Sequence, residues 1–147
     1  MAGNRANVLR AVHSTLASNA PLRTYLGHQL GAQSIAAGAR ILGDDIRIDD
    51  LPVPALILSF AGGDAIEPSR ELATWLLDAT IYAATIFQAA EVLDRVEDIA
   101  ATWHRDPALT QPLTRFRVTG HERLDAVGPA GRLIAVRVNL EVSWISN

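Results

Sequence analysis

The sequence contains no cysteine, so disulfide bonds and thiolate metal sites are excluded. It also contains no lysine, and all 13 of its basic side chains are arginines. Its most apolar stretch, residues 51–61, holds two prolines and is too short to span a bilayer, so we expect no membrane partner. No apolar segment of the kind found in signal peptides follows the first residues.

Motifs of the common enzyme classes are missing as well. Gly62 and Gly63 belong to neither a GxxxxGK[ST] phosphate loop nor a GxGxxG dinucleotide motif, and no serine lies in a GxSxG elbow. The histidines are scattered, with no HExxH pair among them: His13, His28, His104 and His121. No active-site motif is therefore apparent in the sequence.

One acidic segment deserves testing as a metal site. Its four aspartates flank the short segment 46–48: Asp44, Asp45, Asp49 and Asp50. Clustered carboxylates suit hard cations, but this segment lacks the central glycine and the closing glutamate of a calcium loop. It is more typical of a loop or a short edge strand, and we predict no metal there.

Length and composition indicate a single globular domain covering residues 1–147. The chain is 49% hydrophobic and 20% charged, which is ordinary for a folded domain. Its net charge of −3 conceals a basic segment 1–40 without acids, an acidic segment 41–111 and a mildly basic segment 112–147. If these segments lie on different surfaces, the molecule is electrically polarised, which suits head-to-tail docking. Alternatively, the acidic side chains only solvate loops and one helix face.

Helical periodicity predicts two main helices and a short one. In 4–18, Val8, Val12 and Leu16 form an apolar stripe, and a short helix at 22–26 should end at Gly27. Residues 27–38 read as an irregular connection. The other long helix, 86–103, should be capped by Thr85. Its predicted apolar face consists of Ile86, Ala89, Ala90, Leu93, Val96, Ala100 and Trp103.

Period-2 alternation predicts the strands. Between positions 134 and 144, the even-numbered residues are apolar, and a second alternating run at 113–124 precedes them across a Gly/Pro-rich connection. This predicts a long C-terminal hairpin at 113–145, and strands at 55–61 and 73–84 form another. We predict an α+β fold in the order α-β-β-α-β-β, with a mostly antiparallel four-stranded sheet and two main helices on one face.

The polar face of the hairpin is rich in arginine, and we predict that it is an interface: Arg115, Arg117, Arg123 and Arg137. Such a face could contact the phosphates of DNA. Because the chain is acidic overall and no aromatic residues are interleaved with the arginines, the pattern favours weak contacts with passing DNA and not tight binding. Asp78 lies on the polar side of strand 73–84. It could form an acid–base pair with Arg115, Arg117 or His121, but a cross-strand ion pair is the simpler interpretation.

Taken in order, these segments resemble those of tailed-phage tail-completion proteins, also called tail terminators or neck proteins. The resemblance rests on the opening helix, the segment APLRTYLG at 20–27, RILGD at 40–44 and LPVPALIL at 51–58. It continues through the strand-to-helix run 75–103 and the closing hairpin that ends at Trp144. The connection 27–38 is longer than the pattern implies.

The resemblance implies a structural virion protein in the tail or neck, assembled in the host cytoplasm. Such proteins form rings, usually hexamers, that cap the tail tube, stop its polymerisation and meet the head connector. The resemblance also implies that this chain is not an enzyme and needs no cofactor. The implied partners are other copies of the chain, the tail tube protein, the head-completion protein and DNA passing through the lumen. We predict that the hairpin and strand 73–84 join neighbouring sheets. The acidic loops at 44–50 and 64–71 would contact the rings above or below.

Two other interpretations remain open from the sequence. One is a head-closure or connector ring protein of the same neck, which would differ in its partner. The other is a small dimeric α+β enzyme or ligand-binding domain, with a pocket between helix 86–103 and the sheet. That interpretation predicts a buried polar cluster around Asp78, Tyr82 and His121.

Overall fold

The computed structural model describes residues 5–43, 51–61, 72–104, 113–125 and 131–145. The fold is α+β, as predicted, with three helices and five strands in these ranges. In chain order the elements are α1 (Arg5–Ala17), α2 (Ala20–Leu26), β1 (Ile41–Gly43), β2 (Ala55–Phe60), β3 (Leu72–Ala83), α3 (Ile86–Thr102), β4 (Leu113–Arg123) and β5 (Ile134–Ile145). None of the helices in the described ranges is both long and apolar enough to cross a lipid bilayer.

The strands form one mixed sheet in the order β1-β2-β3-β5-β4. β1 is parallel to β2, and every other neighbouring pair is antiparallel. The predicted four-stranded sheet was therefore one strand short. β1 has only three residues, too few for an alternation pattern to reveal it.

β3 lies at the centre of the sheet, and this limits where strand 73–84 could join a neighbouring sheet, which stays a prediction. β2 pairs with one edge of β3, and β5 pairs with its other edge along twelve residues. β2 pairs only with residues 77–82 of β3, so within the described sheet the stretch 72–76 has no strand partner on that side and could meet another chain. The outermost strands of the described sheet are β1 and β4.

Two helix ends follow the predictions, at Gly27 and at Thr85, and Asn19 forms a further cap. The Asn19 side chain accepts a hydrogen bond from the Leu22 N–H at 3.0 Å, and α2 ends at Gly27 in the left-handed conformation, with φ of 72°. At the start of α3, Thr85 Oγ1 accepts from the Gln88 N–H at 3.1 Å. Gln88 Oε1 in turn accepts from the Ala84 N–H at 2.9 Å, which is a reciprocal arrangement that resembles a capping box.

The main core lies between the helices and one face of the sheet, called the inner face here. The inward residues of the central strands are fully buried, including Leu77, Ile81, Val138 and Leu140. From α3, the buried residues are Ala89, Val92, Val96 and Ile99. Of the predicted set, Ala89 and Val96 are buried and Leu93, Ala100 and Trp103 pack partly buried against the core, whereas Ile86 is 43% exposed. The helix is therefore rotated relative to the prediction, because its apolar residues cover an arc too wide to fix the facing side.

A smaller core covers part of the opposite face, called the outer face here. The connection at 27–38 folds over β1 and β2 and buries a second cluster: Ala32, Ala39, Leu42, Leu51, Ala55 and Ile57. Ile35 and Tyr82 pack against this cluster. The segment predicted to be an irregular connection is thus a cover for one end of the sheet, and the outer face of β3, β5 and β4 lies beyond it.

Candidate assembly surface

The outer face of β3, β5 and β4 carries an ordered array of charges. Arg117 lies opposite Glu141 in the β4–β5 register, and Arg115 lies two residues away on the same side. Both arginines contact the Glu141 carboxylate, with N–O distances of 3.0 Å for Arg117 and 3.3 Å for Arg115. The hydrogen bond from Arg117, aided by the charges of both arginines, holds the pKa of Glu141 below its usual range.

Arg137 connects the other two acidic groups of this face. Its Nη1 donates to Glu122 Oε1 at 2.8 Å, and its Nε lies 3.8 Å from Asp78 Oδ2. Burial nevertheless raises the pKa of Asp78, with the Arg137 charge opposing this effect. Asp78 thus takes part in a cross-strand ion pair, and its arginine partner is Arg137, which the sequence analysis had not considered for this role. We call the six residues Arg115, Arg117, Arg137, Asp78, Glu122 and Glu141 the charge ladder.

A β-bulge in β4 changes which residues reach the charge ladder. The register slips between Val118 and Gly120, so Thr119 is an extra residue. Beyond this point, His121 lies opposite Val138 and Arg123 lies opposite Val136, both of which are inner-face positions. The predicted arginine face is therefore wrong at Arg123, which belongs to the inner side of the sheet.

The bulge also separates the residues of the proposed acid–base cluster. Asp78 and Tyr82 lie on the outer face of β3, where burial raises the pKa of Tyr82, whereas His121 lies on the other side of the sheet. Among the described residues, no group of three or more His, Asp or Glu is placed to hold a metal ion. Asp44, Asp45, Asp49 and Asp50, and the acidic loop at 64–71, were predicted as contact sites and lie outside the described residues.

β4 forms one edge of the described sheet, and part of its backbone points away from β5. The Leu124 N–H donates to the Ala135 carbonyl at 2.9 Å. Along an antiparallel ladder, hydrogen-bonded residue pairs alternate with pairs that are not hydrogen-bonded. Since Leu124 is hydrogen-bonded to β5, the N–H and C=O groups of Arg123 and His121 point away from β5, towards the free edge of the sheet. Charged side chains and two bulges mark this edge, as is typical of edges that resist indiscriminate pairing.

Two buried or half-buried histidines at the opposite edge were not singled out by the sequence analysis. His28 Nδ1 accepts hydrogen bonds from the backbone N–H groups of Arg40 and Ile41, and His13 Nε2 lies 2.9 Å from the Ile41 carbonyl oxygen. Beside them is an open cavity of about 320 Å³ between α1 and β1. Its lining includes Leu9, Arg10, Gln33 and Leu58, so it does not lie under α3, where the enzyme interpretation expected a pocket.

Comparison with known proteins shows a similar fold in a solved structure. No protein-family model matches the chain, and neither does any curated protein. Among solved structures, it is similar to a chain of the virion of a native gene transfer agent particle. The TM-score is 0.61, the sequence identity is 13%, and 95% of each chain is covered. At this identity, the likeness shows that the two chains share a fold along nearly their whole length.

Proposed function

We propose that this chain is a structural protein of a phage-like virion. In this proposal, it forms a ring, most simply a hexamer, at the end of the tail tube. The ring stops tube polymerisation and joins the tail to the head connector. The observation that carries the proposal is the likeness to a chain of a virion particle, which extends over 95% of both chains. The segments that resemble tail-completion proteins support the more specific role.

The directions of the sheet's outer strands suit a ring. β1 runs parallel to β2, and the three antiparallel steps from β2 to β4 leave β4 running opposite to β1. Where the β4 edge of one copy approached the β1 edge of the next, the two strands would therefore run antiparallel. Contacts there would involve side chains at the β1 edge, because His13 and His28 already occupy the outward backbone groups of Ile41. Such a head-to-tail contact uses two different surfaces, and repetition of it closes a ring when the rotation allows. In this arrangement the hairpin contributes to assembly through β4 alone.

The charge ladder suits a surface close to DNA that must not retain it. Its three arginines face three carboxylates, so within the described residues of this face the formal charges cancel. Tight binding of a phosphate backbone requires a net positive surface that releases counterions. A balanced face that lined the lumen would make only weak contacts with passing DNA.

A substitution at the β4 edge tests the assembly surface. His121→Pro removes a backbone N–H that points to the free edge, without removing a β4–β5 ladder bond, whereas His121→Ala removes the side chain and keeps the N–H. We expect both variants to melt cooperatively. We expect wild type and His121→Ala to form rings in light scattering and negative-stain images, and His121→Pro to remain in small species. Equal ring formation by folded His121→Pro would contradict the role of this edge.

A polymerisation assay tests the role itself. Purified wild-type chain is added to assembling tail tube protein from the same genome, and tube lengths are measured by electron microscopy. A terminator should bind one tube end and stop growth. Binding to the head connector protein with no effect on tube length would instead support the head-closure role. A chain that remains a monomer or dimer with both partners would overturn the ring proposal.

A further inference from the structure

His13 and His28 occupy the free edge of β1 in the place of a neighbouring strand. The Leu56 N–H donates to the Arg40 carbonyl at 2.8 Å, and since bonding alternates along a parallel pair, the backbone groups of Ile41 point away from β2. The Ile41 N–H donates to His28 Nδ1 at 3.3 Å, and the Ile41 carbonyl accepts from His13 Nε2 at 2.9 Å. Two imidazoles thus satisfy both outward groups of this residue.

The hydrogen bonds fix the protonation state of His28. Its Nδ1 accepts from the Arg40 N–H at 2.9 Å as well as from Ile41, so Nδ1 carries the lone pair and Nε2 carries the proton. The residue is only 4% exposed, and Nε2 has no hydrogen-bond partner in the described part of the chain. The ring of His13 packs against it edge to face, with 5.7 Å between centroids.

We propose that His13 and His28 form a plug on the β1 edge that is closed at neutral pH and opens when His28 takes up a proton. A proton on Nδ1 would occupy the lone pair that receives the Arg40 and Ile41 N–H groups. Both donors would then lose their acceptor and face a cation. His13 would not compensate, because its Nε2 already donates to the Ile41 carbonyl and a protonated ring still donates there.

The surroundings of the plug oppose protonation of the closed form. Burial, followed by the charges of His13 on α1, Arg23 on α2 and Arg40 beside β1, lowers the pKa of His28 from its ordinary value of 6.5. Arg10, on α1, lines the adjoining cavity and is also basic. The open form, with His28 in water, binds the proton more readily. Opening therefore becomes more favourable as the pH falls from about 6.5 towards the lowered value.

The opening should be local. β1 is joined to β2 by three residue pairs, whereas β3 and β5 are joined by twelve. The small outer cluster, which includes Ala39 and Leu42, is held next to the same edge. Regions with few ladder partners open at a lower free-energy cost than the rest of a domain. The expected result is an exposed β1 edge on an otherwise intact sheet.

Amide hydrogen exchange measured by NMR between about pH 7.5 and pH 5 tests the proposal, with each rate divided by the intrinsic rate at that pH to give a protection factor. We expect the Arg40 and Ile41 protection factors to fall about tenfold for each pH unit over which the open form is protonated and the closed form is not. Val138 and Leu140, in the main core, should keep theirs. In His28→Asn, the side-chain oxygen replaces the Nδ1 acceptor but does not titrate, so the fall at Arg40 and Ile41 should disappear.

His104→Asn is the matched control, because His104 is an exposed histidine away from β1, and it should respond to pH as wild type does. Constant protection at Arg40 and Ile41 in wild type would overturn the proposal, as would an unchanged response in His28→Asn. An equal loss at Val138 and Leu140 would also overturn it, because the opening would then be global. None of these readouts depends on ring assembly, so the plug and the proposed function can fail separately.

Discussion

Glu141→Gln probes the charge ladder directly. The substitution preserves the size of the side chain and removes the charge that Arg115 and Arg117 share. Glu141 is 15% exposed and each arginine is 56% exposed, so water screens both pairs in part. Half-exposed ion pairs contribute roughly 0.5 kcal/mol each, and we expect a loss of about 1 kcal/mol in the free energy of unfolding. For a domain of this size, that loss lowers the melting temperature by about 3 °C.

Glu91→Gln is the matched control. It removes one pair on the surface of α3, where Glu91 lies 3.5 Å from Arg95 at i,i+4 spacing. Such a pair contributes only about 0.3–0.5 kcal/mol. Thermal unfolding monitored by circular dichroism at low and high salt should show the larger loss for Glu141→Gln. High salt should reduce the difference between wild type and variant, because the arginines are open to counterions.

The pH dependence of the same difference provides an independent check. The pKa of Glu141 is held below its unfolded value of 4.5 by the Arg117 hydrogen bond, so folding favours the ionised form. The contribution of the carboxylate is therefore fully present above about pH 4.5 and is lost as the pH falls through the lowered value. If Glu141→Gln lost no more stability than Glu91→Gln at neutral pH, or if its deficit persisted in strong acid, the described ion pairs would not be what stabilises this face.

Two further substitutions test the packing of the cover and the start of α3. Gly38 has φ of 96°, and a Cβ there would collide with the Gln29 side chain, whereas Gly27 has φ of 72° and open space around it. Gly38→Ala should therefore lower the free energy of unfolding, measured by urea titration, by more than the roughly 1 kcal/mol expected for Gly27→Ala. Equal losses would contradict the close packing of the 27–38 connection. Thr85→Ala should cost about 1 kcal/mol through loss of the α3 N-cap, while Thr102→Ala, at an exposed position in the last turn, should change stability little.

The sequence predicts a helix or strand well when one of its faces is buried along its whole length, because the apolar residues then recur with a regular period. β5 spans Ile134–Ile145, and its even-numbered residues from 136 to 142 are buried, as their alternation predicts. β1 could not be predicted in this way, because its three residues are fixed by contacts from remote positions. Two of these contacts are the hydrogen bonds that Ile41 forms with His13 and His28, which lie 28 and 13 residues earlier in the chain. Periodicity contains no information about such partners.

The rotation of α3 shows a different limit. Apolar residues occur at Ile86, Phe87, Val92, Leu93 and Ile99, around more than half of the helix. Sequence periodicity selects a face only when the polar residues leave a single apolar stripe. Here the inner face of the sheet decides which stripe is buried, and Ile86 and Phe87 remain exposed at the first turn.

The electrostatic character of the outer face depends on a single extra residue in β4. With unbroken alternation, His121 and Arg123 would join Arg115, Arg117 and Arg137, and the face would hold more arginines than carboxylates. The bulge at Thr119 instead turns Glu122 to the outer side, where it accepts a hydrogen bond from Arg137. Gly120, an isolated glycine in a strand, is the signal that could have revealed the bulge. The same slip separates His121 from Asp78, so the bulge both neutralises the face and breaks up the candidate acid–base pair.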